Sequence, residues 1–187
     1  MEYQSDIFGH QYVVVSGFVR HLAYFRALRA VFEKKKIRSH FWGRTSDSHL
    51  ESATIDWCKV FGSDGPNQTH WKKTAGKTPD AAQADFRQRV LTKTGISRSG
   101  WDSYHKSMCV FRDKYVAHID IGNIPPTPDY DIALQVAFAY DEWIRDLIKP
   151  DFISDPMLEH LYKKWFSQAG AIVSLAVIQN EETLKIA

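Results

Sequence analysis

Residues 11–36, QYVVVSGFVRHLAYFRALRAVFEKKK, carry a clear helical pattern. Apolar side chains recur there at steps of three and four, which places them on one face of an α-helix. The segment ends in three lysines, residues 34–36, and cations suit the negative end of a helix dipole. The pattern predicts a long amphipathic helix with a buried stripe of Tyr12, Val15, Phe18, Val19, Leu22, Phe25, Leu28, Val31 and Phe32.

The same periodicity predicts five further helices. They begin at Ser or Asp caps or at a proline, and they end at glycine or proline. No segment shows with any confidence the period of two that marks a half-buried β-strand. We therefore expect one all-α domain over residues 1–187, an up-and-down bundle of about six helices. The further helices are expected at about 48–61, 78–93, 97–121, 129–148 and 156–179, and residues 62–78 form the longest loop.

Composition narrows the class of protein. The chain has 187 residues, 44% of them hydrophobic, which is enough for a full core. The apolar run at 171–178 is too short to span a bilayer, and no secretory leader is expected at residues 1–6. Cys58 and Cys109 lie in apolar helical contexts, which favours reduced core thiols in a cytoplasmic protein. Without a Gly-rich phosphate loop, a Ser elbow or a paired His motif, we expect no metal and no cofactor.

Charge is distributed unevenly along the chain. The net charge is only +2, but residues 20–49 and residues 71–114 each carry +6, whereas residues 115–187 carry −6. Such a chain can present one positive face to a polyanion. Ordinary solvated helix faces that pair with each other explain the same distribution, so charge alone does not identify a partner.

The long loop contains His70, Trp71, Lys72 and Lys73 in succession. An aromatic ring beside two cations is typical of a surface that contacts RNA, where bases stack on rings and phosphates meet cations. We take His70, Trp71 and Lys72 as substrate-binding candidates. The alternative is that Trp71 anchors the loop to the bundle.

In the segment 109–120, CVFRDKYVAHID, residues 112–118 place five polar side chains inside an apolar frame. The guanidinium of Arg112 suits phosphate, and the imidazole of His118 titrates near neutral pH and can move protons. The two together suit phosphodiester chemistry without a metal. A structural alternative is an Arg112–Asp113 pair that caps the helix, with His118 buried and hydrogen-bonded.

An Arg followed at once by Asp, with a His six positions after the Arg, resembles the signature of the HEPN superfamily. Segment 111–120 looks most like the abortive-infection (AbiU-type) HEPN proteins of bacteria. The resemblance implies a four-helix core with extra helices and a metal-independent endoribonuclease, often a toxin or antiphage-defence effector. It also implies a homodimer in which Arg112 and His118 of both chains line one cleft, with an antitoxin or defence-system protein as a further partner. The alternative is an inactive HEPN module that binds RNA or a partner protein.

The implied reaction is attack of the ribose 2′-hydroxyl on the adjacent phosphate. His118 would act as general base or acid, Arg112 would stabilise the phosphate charge, and Asp113 would orient one of the two. Lys114 and Tyr115 are expected to add phosphate contacts. On an ideal helix Arg112 and His118 lie about 120° apart. They converge only through the length of Arg112, a distorted helix end, or a cleft shared by two chains.

Overall fold

The computed structural model describes residues 5–65, 67–73, 80–118, 122–148, 154 and 156–184. Within these residues there are six α-helices, a 3-10 turn at Trp71–Lys73, a π-helical turn at Arg112–Ala117, and no strand. The prediction of an all-α bundle with about six helices is confirmed. The helices are α1 (Ser5–Lys35), α2 (His40–Phe61), α3 (Asp80–Thr94), α4 (Arg98–Phe111), α5 (Tyr130–Leu147) and α6 (Leu158–Leu184).

Helix α2 begins about two turns earlier than the sequence pattern suggested. The hydroxyl of Ser39 accepts the N–H of Trp42 at 3.4 Å, and Ser39 itself is extended, as an N-cap requires. Trp42 is half-buried and faces the ring of Phe32 on α1, with ring centroids 6.3 Å apart. The prediction that this helix begins at about residue 48 is therefore wrong, because a cap and a packed tryptophan make residues 40–47 the first two turns of α2.

The core lies where α1, α2 and α5 meet. Helix α1 packs against both α2 and α6, and α3 packs against α5. Each of these helices contributes large side chains to one continuous cluster. Losing one such aromatic side chain typically costs a domain about 3–5 kcal/mol. The largest fully buried side chains include Trp57, Trp143, Tyr140, Phe18, Phe61, Phe86 and Phe111.

A buried ion pair fixes the start of α6. Asp141 and Arg145, four residues apart on α5, are joined by a hydrogen bond from Nε to Oδ1 of 2.8 Å. The second carboxylate oxygen of Asp141 accepts the N–H of Leu158, the first residue of α6, at 2.7 Å. Arg145 Nη2 also donates to the Pro156 carbonyl at 3.1 Å. This ion pair therefore forms hydrogen bonds with backbone groups at the beginning of α6 and holds that helix against α5.

The outer face of α6 is apolar in part. Ile172 and Leu175 are each 66% exposed, whereas Val173 and Val177 are buried against α1 and Trp42. In the described part of the chain, no helix combines the length and the apolar composition that crossing a bilayer requires.

Candidate functional site

The Arg112 motif lies where α4 ends. Met108 and Phe111 are buried and hold this end of the helix against the core. The N–H of Arg112 still donates to the Met108 carbonyl, and from there the backbone widens into the π-helical turn of residues 112–117. Such turns are rare and recur at functional sites. The helix end at the motif is therefore distorted, which is one of the three arrangements that the sequence allowed.

Arg112 is held by its neighbour in the chain. Its Nε donates to Asp113 Oδ1 at 2.7 Å, and Nη2 lies 2.6 Å from the same oxygen. The Arg112 side chain is 28% exposed and that of Asp113 is 57% exposed, so the pair lies at the surface. A guanidinium has five N–H donors in a rigid fork. The pair with Asp113 uses Nε and Nη2 of Arg112, so the donors of Nη1 stay available to a ligand. The arrangement fixes a cation in one orientation at the protein surface.

His118 ends the π-helical turn in an extended conformation, with φ −141° and ψ 131°. Its side chain is exposed, contrary to the alternative of a buried, hydrogen-bonded histidine. Among the described residues no hydrogen bond or ion pair joins His118 to Arg112. The structure thus brings both side chains to the surface near one helix end without placing them in contact within a single chain.

Two further candidates lie in the turn between these residues. Tyr115 is half-buried, and its ring stacks on that of Phe111 with centroids 4.9 Å apart and planes 25° apart. Lys114 is also half-buried. Asp120, whose carboxylate follows His118 by two residues in the sequence, lies outside the described residues. Tyr115 is therefore anchored on a core residue, and only its outer part remains for a phosphate contact.

Trp71 anchors the loop. Its ring is only 7% exposed and lies 4.6 Å from Phe86 and 6.0 Å from Trp143, centroid to centroid. The preceding residue is fixed as well, because Gln11 Nε2 donates to the carbonyl of His70 at 2.8 Å. This ring is not open for a base to stack on, so the structure favours the anchoring alternative for Trp71 over the RNA-stacking role.

His70 is buried too, with only 2% of its surface exposed. Burial lowers its pKa to about 4, although the nearby Asp64 opposes this shift, and the imidazole is therefore neutral at pH 7. Lys72 is half-buried and pairs with Asp64 at 3.0 Å. His70 thus has a structural role, whereas Lys72 remains within reach of solvent.

The sequence did not predict a cleft that lies beside α4. About 320 Å³ of space is enclosed by the end of α2, the anchored loop, α3 and α4. Its residues come from four separate segments, so no local sequence motif predicts the cleft. The one available signal is the seven-residue spacing of Arg98, His105 and Arg112, which repeats one helix face. The polar and aromatic side chains of the wall include Ser63, Asp64, Lys72, Arg87, Trp101 and His105.

The two cysteines are free thiols and face each other between α2 and α4. The neighbouring Cys58 thiol lowers the pKa of Cys109 to about 6 against the opposing effect of burial, and the Arg112 guanidinium acts in the same direction as Cys58. The same contact and burial raise the pKa of Cys58. Cys109 is therefore the more acidic thiol of the pair, a difference that the sequence did not predict.

No group of three or more His, Cys, Asp or Glu side chains in the described ranges is arranged to hold a metal ion. Comparisons of the chain with protein-family models, with curated proteins and with solved structures give no significant match.

Proposed function

We propose that this protein is a HEPN-type endoribonuclease that cuts RNA without a metal, as a cytoplasmic toxin or antiphage-defence effector. The observation that carries the proposal is the Arg112–Asp113 ion pair at a distorted helix end, six residues before an exposed histidine. An oriented guanidinium and a solvent-accessible imidazole are the two groups that metal-independent phosphodiester cleavage needs. The all-α fold agrees with the architecture that the resemblance implies.

In the proposed reaction the 2′-oxygen of a ribose attacks the adjacent phosphorus. The new bond closes a 2′,3′-cyclic phosphate while the bond from phosphorus to the 5′-oxygen breaks. His118 takes the proton of the 2′-hydroxyl as a base or delivers one to the leaving 5′-oxygen as an acid. Arg112 binds the non-bridging oxygens and stabilises the charge that develops on them. Asp113 orients Arg112, and Lys72, Lys114 and Tyr115 contribute outer phosphate contacts.

The site is proposed to be completed by a second copy of the chain. Arg112 and His118 make no hydrogen bond to each other within the described part of one chain, although both are accessible to solvent. Two copies that meet at the ends of their α4 helices would bring the arginine of one toward the histidine of the other. The reaction would then depend on the homodimer.

The test is cleavage of single-stranded RNA in EDTA by purified wild-type protein beside His118→Ala. We expect fragments with 2′,3′-cyclic phosphate and 5′-hydroxyl ends from the wild type, no cleavage of the matching DNA, and no activity in His118→Ala. Because His118 is exposed, the variant should keep the wild-type circular dichroism spectrum and melting temperature. Wild-type activity in a folded His118→Ala protein would contradict the site assignment.

A mixing experiment tests the shared site. Arg112→Ala and His118→Ala are each expected to be inactive as homodimers. If the two residues act across the dimer, unfolding and refolding the two variants together should restore part of the activity in the mixed dimers. No restoration in a preparation shown to contain mixed dimers would argue against a site shared in this way. RNA binding without a cyclic-phosphate product from the wild type would instead favour the inactive HEPN module.

A further inference from the structure

The cleft beside α4 contains a cation that has no carboxylate partner among the described residues. Arg87 Nη2 donates to the amide oxygen of Gln83 at 3.1 Å, and its guanidinium lies 5.6 Å from the centre of the Trp71 ring. The other two cations on the wall differ, because Lys72 pairs with Asp64 and Arg98 pairs with Asp102. Arg87 is therefore the surplus positive charge of the cleft, held against a buried ring and ready to bind an anion in its fork.

The wall opposite offers a ring and an acceptor. Trp101 is half-buried and packs one side against Trp57, at 6.3 Å between centroids. The Nε2 of His105 lies 2.9 Å from the Phe61 carbonyl and 3.2 Å from the Gly62 carbonyl. Since a carbonyl only accepts, Nε2 carries a proton, and in a neutral imidazole Nδ1 is then an acceptor. A partly exposed indole beside a free acceptor suits a nucleobase, which brings a π-face and N–H donors.

Two residues of the cleft wall, Arg98 and His105, share one face of α4 with Arg112. Seven residues of an α-helix make nearly two turns and about 10.5 Å of rise, so Arg98, His105 and Arg112 lie in one row. Cys109, between the last two, also interacts with Ser63 of the cleft wall and with Arg112. An RNA strand, which carries phosphates at regular intervals, can therefore contact the cleft and Arg112 at the same time.

We propose that this cleft is a nucleotide-binding subsite that holds one nucleotide of the RNA strand beside the phosphate at Arg112. Arg87 binds its phosphate, Trp101 stacks on its base, and His105 Nδ1 accepts an N–H from the base. A volume of about 320 Å³ is at the lower end for small-ligand pockets, which suits one nucleotide rather than a folded RNA. As a subsite for an RNA strand it rests on the proposed ribonuclease function, whereas binding of a free nucleotide can be measured separately.

The binding test uses AMP, GMP, CMP, UMP and inorganic phosphate as probes in isothermal titrations. We expect at least one nucleotide to bind the wild type, with inorganic phosphate at least tenfold weaker. Arg87→Gln should weaken nucleotide binding at least tenfold. The matched control is Arg44→Gln, which removes an exposed arginine about 25 Å away along α2 and should bind like the wild type. Since Arg87 packs on Trp71, Arg98→Gln serves as a second variant. Arg98 lies on the cleft wall and is 65% exposed, so the change should be tolerated by the fold but should also weaken nucleotide binding.

The outcomes separate this proposal from the ribonuclease itself. If no nucleotide binds, or if phosphate binds as tightly as every nucleotide, the subsite is disproved even when the wild type cuts RNA. If a nucleotide binds through Arg87 but RNA is not cut, the ribonuclease proposal fails and the cleft stands as a nucleotide site. If a nucleotide binds through Arg87 and the wild type also cuts RNA, Arg87→Gln should raise KM or alter the base preference at one position next to the cut, with kcat largely retained.

Discussion

The guanidinium of Arg112 and the carboxylate of Asp113 are adjacent in sequence and form a surface ion pair, with Nε and Nη2 2.7 and 2.6 Å from Oδ1. Adjacent residues on a regular helix point about 100° apart, so they rarely pair. Here the backbone changes from α to π geometry at Arg112, where the pair forms. The pair gives the arginine a defined direction at a position where a free side chain would adopt many rotamers.

We expect Asp113→Asn to reduce kcat for RNA cleavage by about tenfold, equivalent to about 1.4 kcal/mol of transition-state stabilisation. The amide keeps the shape but weakens the contact that orients Arg112. Since Asp113 is largely exposed, the free energy of unfolding should change by less than about 0.5 kcal/mol. Glu159→Gln, which breaks an exposed pair with Lys163, is the matched control and should leave cleavage unchanged. Equal kcat for Asp113→Asn and wild type would remove Asp113 from the site.

Asp141→Asn should lower the free energy of unfolding by about 3–5 kcal/mol, because it breaks the buried ion pair with Arg145 and weakens the start of α6. Both side chains are at most 8% exposed, so solvent cannot replace the lost contact. Urea denaturation of wild type and variant measures the difference. Lys163→Gln, at an exposed pair on α6, should cost less than about 0.5 kcal/mol. A similarly small loss for Asp141→Asn would show that the pair does not anchor α6.

His70 should make the protein less stable in mild acid. Burial lowers its folded pKa to about 4, below the usual 6.5 of an unfolded chain. As the pH falls from 6.5 towards 4, the unfolded state takes up the proton first, and stability is lost over that window. From pH 7 to pH 5 we expect this one group to remove about 1–2 kcal/mol.

Comparing urea midpoints at the two pH values for wild type and His70→Asn isolates the contribution of this group. The variant should lose less stability on acidification. It should still lose some, because burial also lowers the pKa values of His21 and His49. Identical pH dependence in the two proteins would contradict the assignment of a buried neutral His70.

Cys109 should react unusually fast with iodoacetamide below pH 8. The neighbouring Cys58 thiol is the main cause that lowers the pKa of Cys109 to about 6. At pH 7 the Cys109 thiol should therefore be mostly ionised. The alkylation rate plotted against pH should have its midpoint near 6 in the wild type, and Cys58→Ala should move it up by at least one pH unit. Cys109→Ala should show no labelling at low pH. A wild-type midpoint near 8.5 would show that the two thiols do not interact.

Much of the fold was predictable because each helix carries its own signals. In α1, residues such as Val15, Phe18 and Leu22 recur on one face, and all three are fully buried. The early start of α2 was not predictable from periodicity. It depends on Ser39 as a cap and on Trp42 packing against Phe32, a contact with another helix.

The candidate site was likewise predictable from the sequence only in part. The order of residues in the sequence was enough to name Arg112, Asp113 and His118 as candidates, since a motif consists of residue types at fixed spacing. It could not tell whether Trp71 stacks on a ligand or packs inside, because that depends on Phe86 and Trp143, which are distant in the chain. The cleft at Arg87 could not be predicted from the sequence for the same reason.

The sequence by itself determined that the chain forms an all-helical bundle, and it singled out one short segment as the candidate for phosphate chemistry, because periodicity and motif spacing are local properties. The tertiary structure decided which polar residues are accessible. It buried His70 and Trp71, left the Arg112–Asp113 pair and His118 at the surface, and enclosed a cleft beside His105. Burial and clefts arise only when helices distant in sequence exclude water from one another's faces.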